Sequence, residues 1–293
     1  MFLAGATFLL IIAGALVTSN DAGLSVPDWP TSFGTFRMPR MVGGVLYEHG
    51  HRMIAATVGL LTVILAVWVW LKEPRRWVRW VSGIAVLAVI AQDVLGGITV
   101  LFYLPVAISV GHATLAQSFF CTMVSLAFFT RTDWRWDETK TEELSAPSLR
   151  QLSAATSAAI LLQLVLGAAF RHNGIGIVPH IVVAMVVTLL VTWTVTRVFT
   201  KFSAERRLVR WAATLVGLLV VQLFLGIGAY VMKLEARNAP QPLPPVVNVT
   251  TAHVAVGALV LATSVVLALH VFRRVASPRR ALSLRDASEK VAA

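Results

Sequence analysis

The sequence predicts an all-α polytopic membrane protein, with eight transmembrane helices built as two tandem, pseudo-symmetric four-helix bundles. Three observations carry this reading. First, of 293 residues 57% are hydrophobic and only 13% charged, about half the roughly 25% charge of a soluble domain. Second, apolar runs of helix-spanning length recur along the whole chain. In lipid every backbone N–H and C=O must be paired internally, so such runs are helices. Third, the second set of four runs repeats the first.

The spans fall at about 2–19, 48–71, 80–103, 108–130, 151–170, 177–199, 209–232 and 249–272. The first, in "MFLAGATFLLIIAGALVTSN", is as hydrophobic as a signal peptide. It has no basic leading segment and no small-residue cleavage site, so it reads as a retained span. Of the 25 basic residues, all but Arg37, Arg40, Arg52, Arg171, Lys233 and Arg237 lie in the even-numbered gaps and the C-terminal tail. The positive-inside rule then puts both termini in the cytoplasm. The net charge of +11 is therefore a topology signal and does not indicate a nucleic-acid partner. The tail "RRVASPRRALSLRDASEKVAA" suits an anchor on anionic membrane lipid. The expected organisation is an N-terminal half (1–130), a cytoplasmic linker (131–150), a C-terminal half (151–272) and a basic tail (273–293). Cys121 is the one cysteine, which excludes an intramolecular disulfide and a cysteine-based metal site.

The repeat is visible residue by residue. "LLIIAGALVTSNDAG" (9–23) sets beside "LLQLVLGAAFRHNGIG" (161–176), with Gly14 over Gly167 and Asn20 over Asn173. "AQDVLGGITV" (91–100) sets beside "VQLFLGIGAY" (221–230), with Gln92 over Gln222 and Gly96 over Gly226. His112 pairs with His253, and His51 with His180. Four-helix units running the same way are related by an axis along the membrane normal. Each half then carries two histidines at similar depth near the outer face.

Bundles hold cofactors through inward-facing side chains on facing helices, and two imidazoles are a common axial pair for haem iron. One histidine near a helix end is usually an ordinary polar residue. Four at equivalent positions, His51, His112, His180 and His253, point to haem ligation. Zinc competes less well, because the four form two separated pairs without clustered carboxylates. His270 sits at the cytoplasmic end of span 8 and reads as interfacial. His172 is a candidate contact at a haem edge. His49 lies about 200° around the helix from His51 and cannot share its face.

Glu48 is three residues before His51, so the two share a helical face. The corresponding residue before His180 is Ile177. A carboxylate in an apolar pocket must be hydrogen-bonded, paired or protonated, which marks it as a functional candidate. Two plainer readings compete: a carboxylate interacting with the helix dipole, and an ion-pair partner for Arg52. The outer loop "NDAGLSVPDWPTSFGTFRMPR" (20–40) is too apolar for a spacer and should cover the first-half pocket. Trp29 and Phe33 suit interfacial depth. Asp28 is placed to cap a turn. Arg37, Arg40, Arg52, Arg171 and Trp29 are the candidate propionate or pocket contacts.

"GALVTSNDAGLSVPDWP" (14–30), "EHGHR" (48–52), "LGGITVL" (95–101) and "GHATLAQ" (111–117) together resemble haem A synthase, most strongly in the first half. The resemblance implies oxidation of the C8 methyl of haem O to a formyl group by two successive hydroxylations, giving haem A for terminal oxidases. It implies that His51 and His112 flank the substrate haem, that His180 and His253 ligate a haem B that passes electrons, and that Glu48 is the catalytic carboxylate. Candidate partners are haem O synthase, terminal oxidase assembly and a second copy of the chain. The Cys pair that some bacterial members carry in the first outer loop is missing here. A di-haem b-type electron-transfer cytochrome, a haem carrier and a transporter are the competing readings. Of these, the cytochrome gives no reason for a Glu–His pair in one half only.

Overall fold

In the computed structural model, which describes residues 1–134, 141–143 and 145–276, the chain forms eight long helices. These are α1 (Phe2–Ser19), α2 (Gly44–Lys72), α3 (Arg76–Leu101), α4 (Val106–Phe129), α5 (Leu149–Arg171), α6 (Val178–Lys201), α7 (Arg206–Glu235) and α8 (Pro244–Arg274). Each is long and apolar enough to cross a membrane, which makes this an integral membrane protein. Most of the basic tail, and Arg135 and Lys140 of the linker, lie outside the described residues.

All eight spans are where the sequence puts them, and several start earlier. α2 begins at Gly44, after Gly43 turns the chain with φ 55°, a conformation that glycine adopts without strain. Glu48 and His51 therefore sit beyond the first turn, where the helix dipole has faded. α8 begins at Pro244, five residues before the expected start. Pro244 and Pro245 occupy its first positions, where a missing N–H costs nothing. Ser148 caps α5 in a reciprocal box with Gln151.

Packing follows the repeat. α1 to α4 contact one another in a closed ring, and α5 to α8 do the same. The rings meet where α1 and α4 pack on α5 and α8, with α1 against α8 and α4 against α5 as equivalent pairs and α4 against α8 between them. That is the pattern of a two-fold axis running between the bundles. α8 is buried on all sides from Ala255 to Val271, with glycine, alanine, serine and threonine among its residues. Small side chains let helix backbones approach closely, which is how membrane helices gain packing energy without a hydrophobic drive. By contrast α7 turns Val220, Val221, Phe224 and Ile227 outward.

The ends of α1 and α5 correct one detail of the repeat. Asp21 (φ 51°) and Asn173 (φ 59°) hold the left-handed position after each helix, and Ala22 and Gly174 bond back to the carbonyls of Val17 and Ala169. Asn173 thus corresponds to Asp21 rather than Asn20, because α1 runs one residue further past its glycine. Ser19 and Arg171, the last residues of α1 and α5, become equivalent.

Candidate functional site

Each of the four histidines leans on a glycine of a neighbouring helix. A methyl group on Gly14 of α1 would stand 3.1 Å from Cε1 of His51 on α2, and one on Gly167 of α5 2.9 Å from Cε1 of His180 on α6. In the other helix pair of each bundle, Gly96 of α3 meets His112 of α4 at 3.4 Å and Gly226 of α7 meets His253 of α8 at 3.0 Å. A methyl group at Gly14, Gly167 or Gly226 would push the ring away, whereas one at Gly96 would just touch it. The same arrangement occurs four times, twice in each bundle.

Glutamines complete the setting. Gln92, Gln163 and Gln222 lie one helical turn before Gly96, Gly167 and Gly226, and their backbone carbonyls interact with the rings of His112, His180 and His253. The Gln163 side-chain amide donates to the carbonyl of His180 at 2.9 Å and meets its Nε2 at 3.2 Å. Gln222 Nε2 stands 3.5 Å from Nε2 of His253. An amide N–H can only donate to a ring nitrogen that carries a lone pair. These contacts select the tautomer with the proton on Nδ1 and the lone pair on Nε2, the nitrogen that a metal would take in place of the amide.

The Nδ1 atoms of all four rings are buried without a hydrogen-bond partner of ordinary geometry, yet each residue keeps some accessible surface. The rings are thus held by packing, with part of each residue still accessible. His180 and His253 have ring centres 6.4 Å apart with planes at 76°. A metal about 2.0–2.1 Å from each nitrogen, plus roughly 1.1 Å from nitrogen to ring centre, spans about that distance. His51 and His112 are close enough to affect each other electrostatically. No group of three or more His, Cys, Asp or Glu side chains gathers among the described residues. Two imidazoles per site suit a metal whose other ligands belong to a macrocycle.

Glu48 is buried, 4% exposed. Its Oε2 accepts the backbone N–H of Val26 at 2.7 Å, and its Oε1 pairs with Arg52 at 2.7 Å. Arg52 also donates to the carbonyls of Asp28, Thr31 and Val26. Of the two plainer readings of Glu48, the ion pair is present and the dipole contact is not. The pair fastens the outer loop to α2 on the His51 side. The loop then reaches across to α3, where Trp29 lies so close to Gly97 that a methyl group there would stand 2.6 Å from the indole. Adjacent glycines therefore do different work: Gly96 seats His112 and Gly97 seats Trp29. In the second half the residue after Gly226 is Ile227, 65% exposed.

Within the loop Asp28 caps a turn, accepting from the Phe33 and Gly34 N–H groups at 2.6 and 2.8 Å and from the Thr31 hydroxyl. The Thr31 hydrogen bond, helped by the backbone bonds, holds its carboxyl below the usual range. His49 reaches Ser32 at 3.0 Å, on a different face from His51 as expected. Arg37 and Arg40 stand exposed on the outer side of the loop. Arg171 donates to Ser19 Oγ at 2.6 Å and to the carbonyl of Ala15 at 3.0 Å, in the seam between the bundles. Burial and the neighbouring Arg171 charge push His172 below its ordinary value. His270 is buried rather than interfacial, among the rings of Phe128, Trp134 and Trp211. The glycine seats and Gln163 were not singled out from sequence as partners of the histidines. The signal was present in the glycines that recur in the repeat.

The family model described as cytochrome oxidase assembly protein, COX15-CtaA, matches residues 40–180, which include Glu48, His51, His112 and His180 but not His253. Proteins named "Heme A synthase" are similar over parts of the chain. The one from Halalkalibacterium halodurans is 31% identical over 121 residues, 41% of this chain and 39% of its own. That from Symbiobacterium thermophilum is 32% identical over 173 residues, covering 57% and 56%. That from Roseobacter denitrificans is 33% identical over 129 residues, covering 38% and 31%. The chain thus spans from about a third to just over half of the length of these relatives. Over residues 40–180 the chain is thus similar to the COX15-CtaA family of cytochrome oxidase assembly proteins.

Proposed function

We propose that the protein is a haem A synthase, an oxidoreductase of the bacterial inner membrane that converts the C8 methyl of haem O to the formyl group of haem A. Written with water as the oxygen source, the change is R–CH3 + H2O → R–CHO + 4 H⁺ + 4 e⁻ through two successive hydroxylations, the electrons going to an external one-electron acceptor. The observation that carries the reading is the inequality of two otherwise matching sites. Both halves hold a histidine pair on glycine seats, and among the described residues only the first has a buried carboxylate beside it, Glu48, with Ile177 in the equivalent place.

In this reading His51 and His112 hold the substrate haem, and His180 and His253 hold a resident haem B. When bound, haem B supplies one-electron transfer. The chain supplies the rest. Gln163 and Gln222 select the tautomer of His180 and His253 that has its lone pair on Nε2, and their amides would give way to a bound metal there. Trp29, seated on Gly97, and the loop fastened by Arg52 cover the first pocket and restrict water. Glu48 is the candidate catalytic group, able to steer a proton or to stabilise positive charge developing at the methyl. Haem O and haem A are too apolar to diffuse freely through water, so hand-over from haem O synthase and to an assembling terminal oxidase fits the membrane setting.

The test is mass spectrometry of haem extracted from purified protein made in a host that produces haem O. Haem O, its hydroxylated form or haem A beside haem B supports the reading. Haem B alone refutes it in favour of an electron-transfer cytochrome. Glu48→Gln should retain both haems and lose turnover, and wild-type turnover would remove Glu48 from the chemistry.

A further inference from the structure

Arg171 is a cation whose direct hydrogen-bond partners are neutral. It sits in the seam, where α1, α5 and α8 converge, and forms no ion pair among the described residues. Its hydrogen bonds go to two neutral acceptors, the Ala15 carbonyl and the Ser19 hydroxyl. Asp21 is the acid within electrostatic reach. Next to it His172 feels the charges of Arg171 and Lys233, so positive charge gathers here. Cations inside a protein are normally paired, because an uncompensated charge is costly to desolvate.

The contacts of Arg171 run into both histidine sites. Ala15, which takes one hydrogen bond, follows Gly14, the seat of His51. Ser19, which takes the other, bonds to Thr250 at 3.0 Å and Thr251 at 3.2 Å, within one turn of His253 on α8. Arg171 also acts electrostatically on His253 itself. Ser19 and Arg171 are equivalent residues of the two halves that meet across the pseudo-two-fold axis, and only the second-half member is charged.

We propose that Arg171 is a shared anion anchor at the seam, whose guanidinium binds a haem carboxylate and sets the potential of the haem held by His180 and His253. The proposal rests on the haem reading above. A guanidinium presents paired N–H donors that match a carboxylate. A positive charge beside the iron favours the ferrous state, which carries one positive charge fewer than the ferric.

The experiment is a redox titration of the low-spin haem in purified full-length protein, paired with the rate of haem loss to excess apomyoglobin. Arg171→Gln should lower the midpoint potential and speed haem loss at least tenfold. Arg171→Lys keeps the charge and should hold the potential near wild type. Asp21→Asn removes a compensating negative charge, tolerates the left-handed backbone of that position, and should raise the potential even if Arg171→Gln does not fold. Potentials that ignore both Arg171→Gln and Asp21→Asn overturn the proposal. A wild-type protein without low-spin haem overturns the haem reading instead.

Discussion

Replacing Gly226 by alanine separates the stability of the helix from the hold on haem, because the two respond with opposite sign. The new methyl would stand 3.0 Å from Cε1 of His253, against 3.4–4 Å for ordinary contact. The ring, packed in its seat, must shift by several tenths of an ångström. Overpacking of this kind costs about 1–3 kcal/mol. If the cost falls on the ligating geometry, haem retention weakens by roughly 5- to 150-fold, at about 1.4 kcal/mol per factor of ten. The helix itself gains, since alanine is better than glycine in a helix by about 0.8–1 kcal/mol. Gly217 lies on the same helix with nothing within 4 Å of its added methyl, so Gly217→Ala takes the gain alone. The assay is haem transfer to apomyoglobin, followed by absorbance, beside thermal unfolding of the haem-free protein. Gly226→Ala should release haem faster than wild type and Gly217→Ala should not, and without haem Gly226→Ala should be no more stable than Gly217→Ala. Equal haem release from the two variants would refute the idea that the glycine positions the ligand. Gly96→Ala, at 3.4 Å, should show the mildest effect of the four seats.

Other outcomes follow from the first-half loop and the seam. Gly97→Ala should expel Trp29, and limited trypsin digestion should then cut faster at Arg37 and Arg40 while the low-spin spectrum of the second half stays unchanged. Arg52→Gln leaves Glu48 buried with Val26 N–H alone, a loss of about 3 kcal/mol for a broken buried pair, read as a lower unfolding temperature; an unchanged one would show that the pair does not fasten the loop. His172 is held below its ordinary value of 6.5, so as pH falls below 6.5 the unfolded chain takes a proton that the folded chain resists. Stability declines through that window and is unaffected above it. His172→Gln should make the unfolding temperature less sensitive to pH below 6.5, and identical slopes would show that His172 does not contribute.

The spans were legible because a membrane leaves few choices: an apolar run of some twenty residues must satisfy its own backbone, and a helix does so. The early starts of α2 and α8 were less legible. Tyr47 and Glu48 interrupt the apolar run of α2, and Pro244 and Pro245 look like helix breakers although they occupy a first turn that tolerates them. The four histidines stood out because duplication marked them. Their seats did not, since a glycine in a membrane helix has many uses and only the three-dimensional pairing shows which ring it meets. The ion pair of Glu48 could be anticipated from its four-residue spacing to Arg52. Its second partner, the Val26 N–H, could not, because it depends on how a Gly- and Pro-rich loop folds back.

Three equivalent places differ between the halves while the four seats are kept, and each difference changes what a site can do. Where the second half has Ile177 and Ile181, the first has Glu48 and Arg52, joined to the loop. Where the second half has Ile227, facing outward, the first has Gly97 under Trp29. Where the first half ends α1 with Ser19, the second ends α5 with Arg171. The first two differences give one pocket a carboxylate and a fastened cover. The third puts a positive charge in the seam, within electrostatic reach of His253. A carboxylate and a cover are what a site needs to alter an apolar substrate away from water, and a nearby cation is what an electron-carrying site needs to hold its electron. Under the proposed function, the differences on opposite sides of the axis divide labour between the two sites.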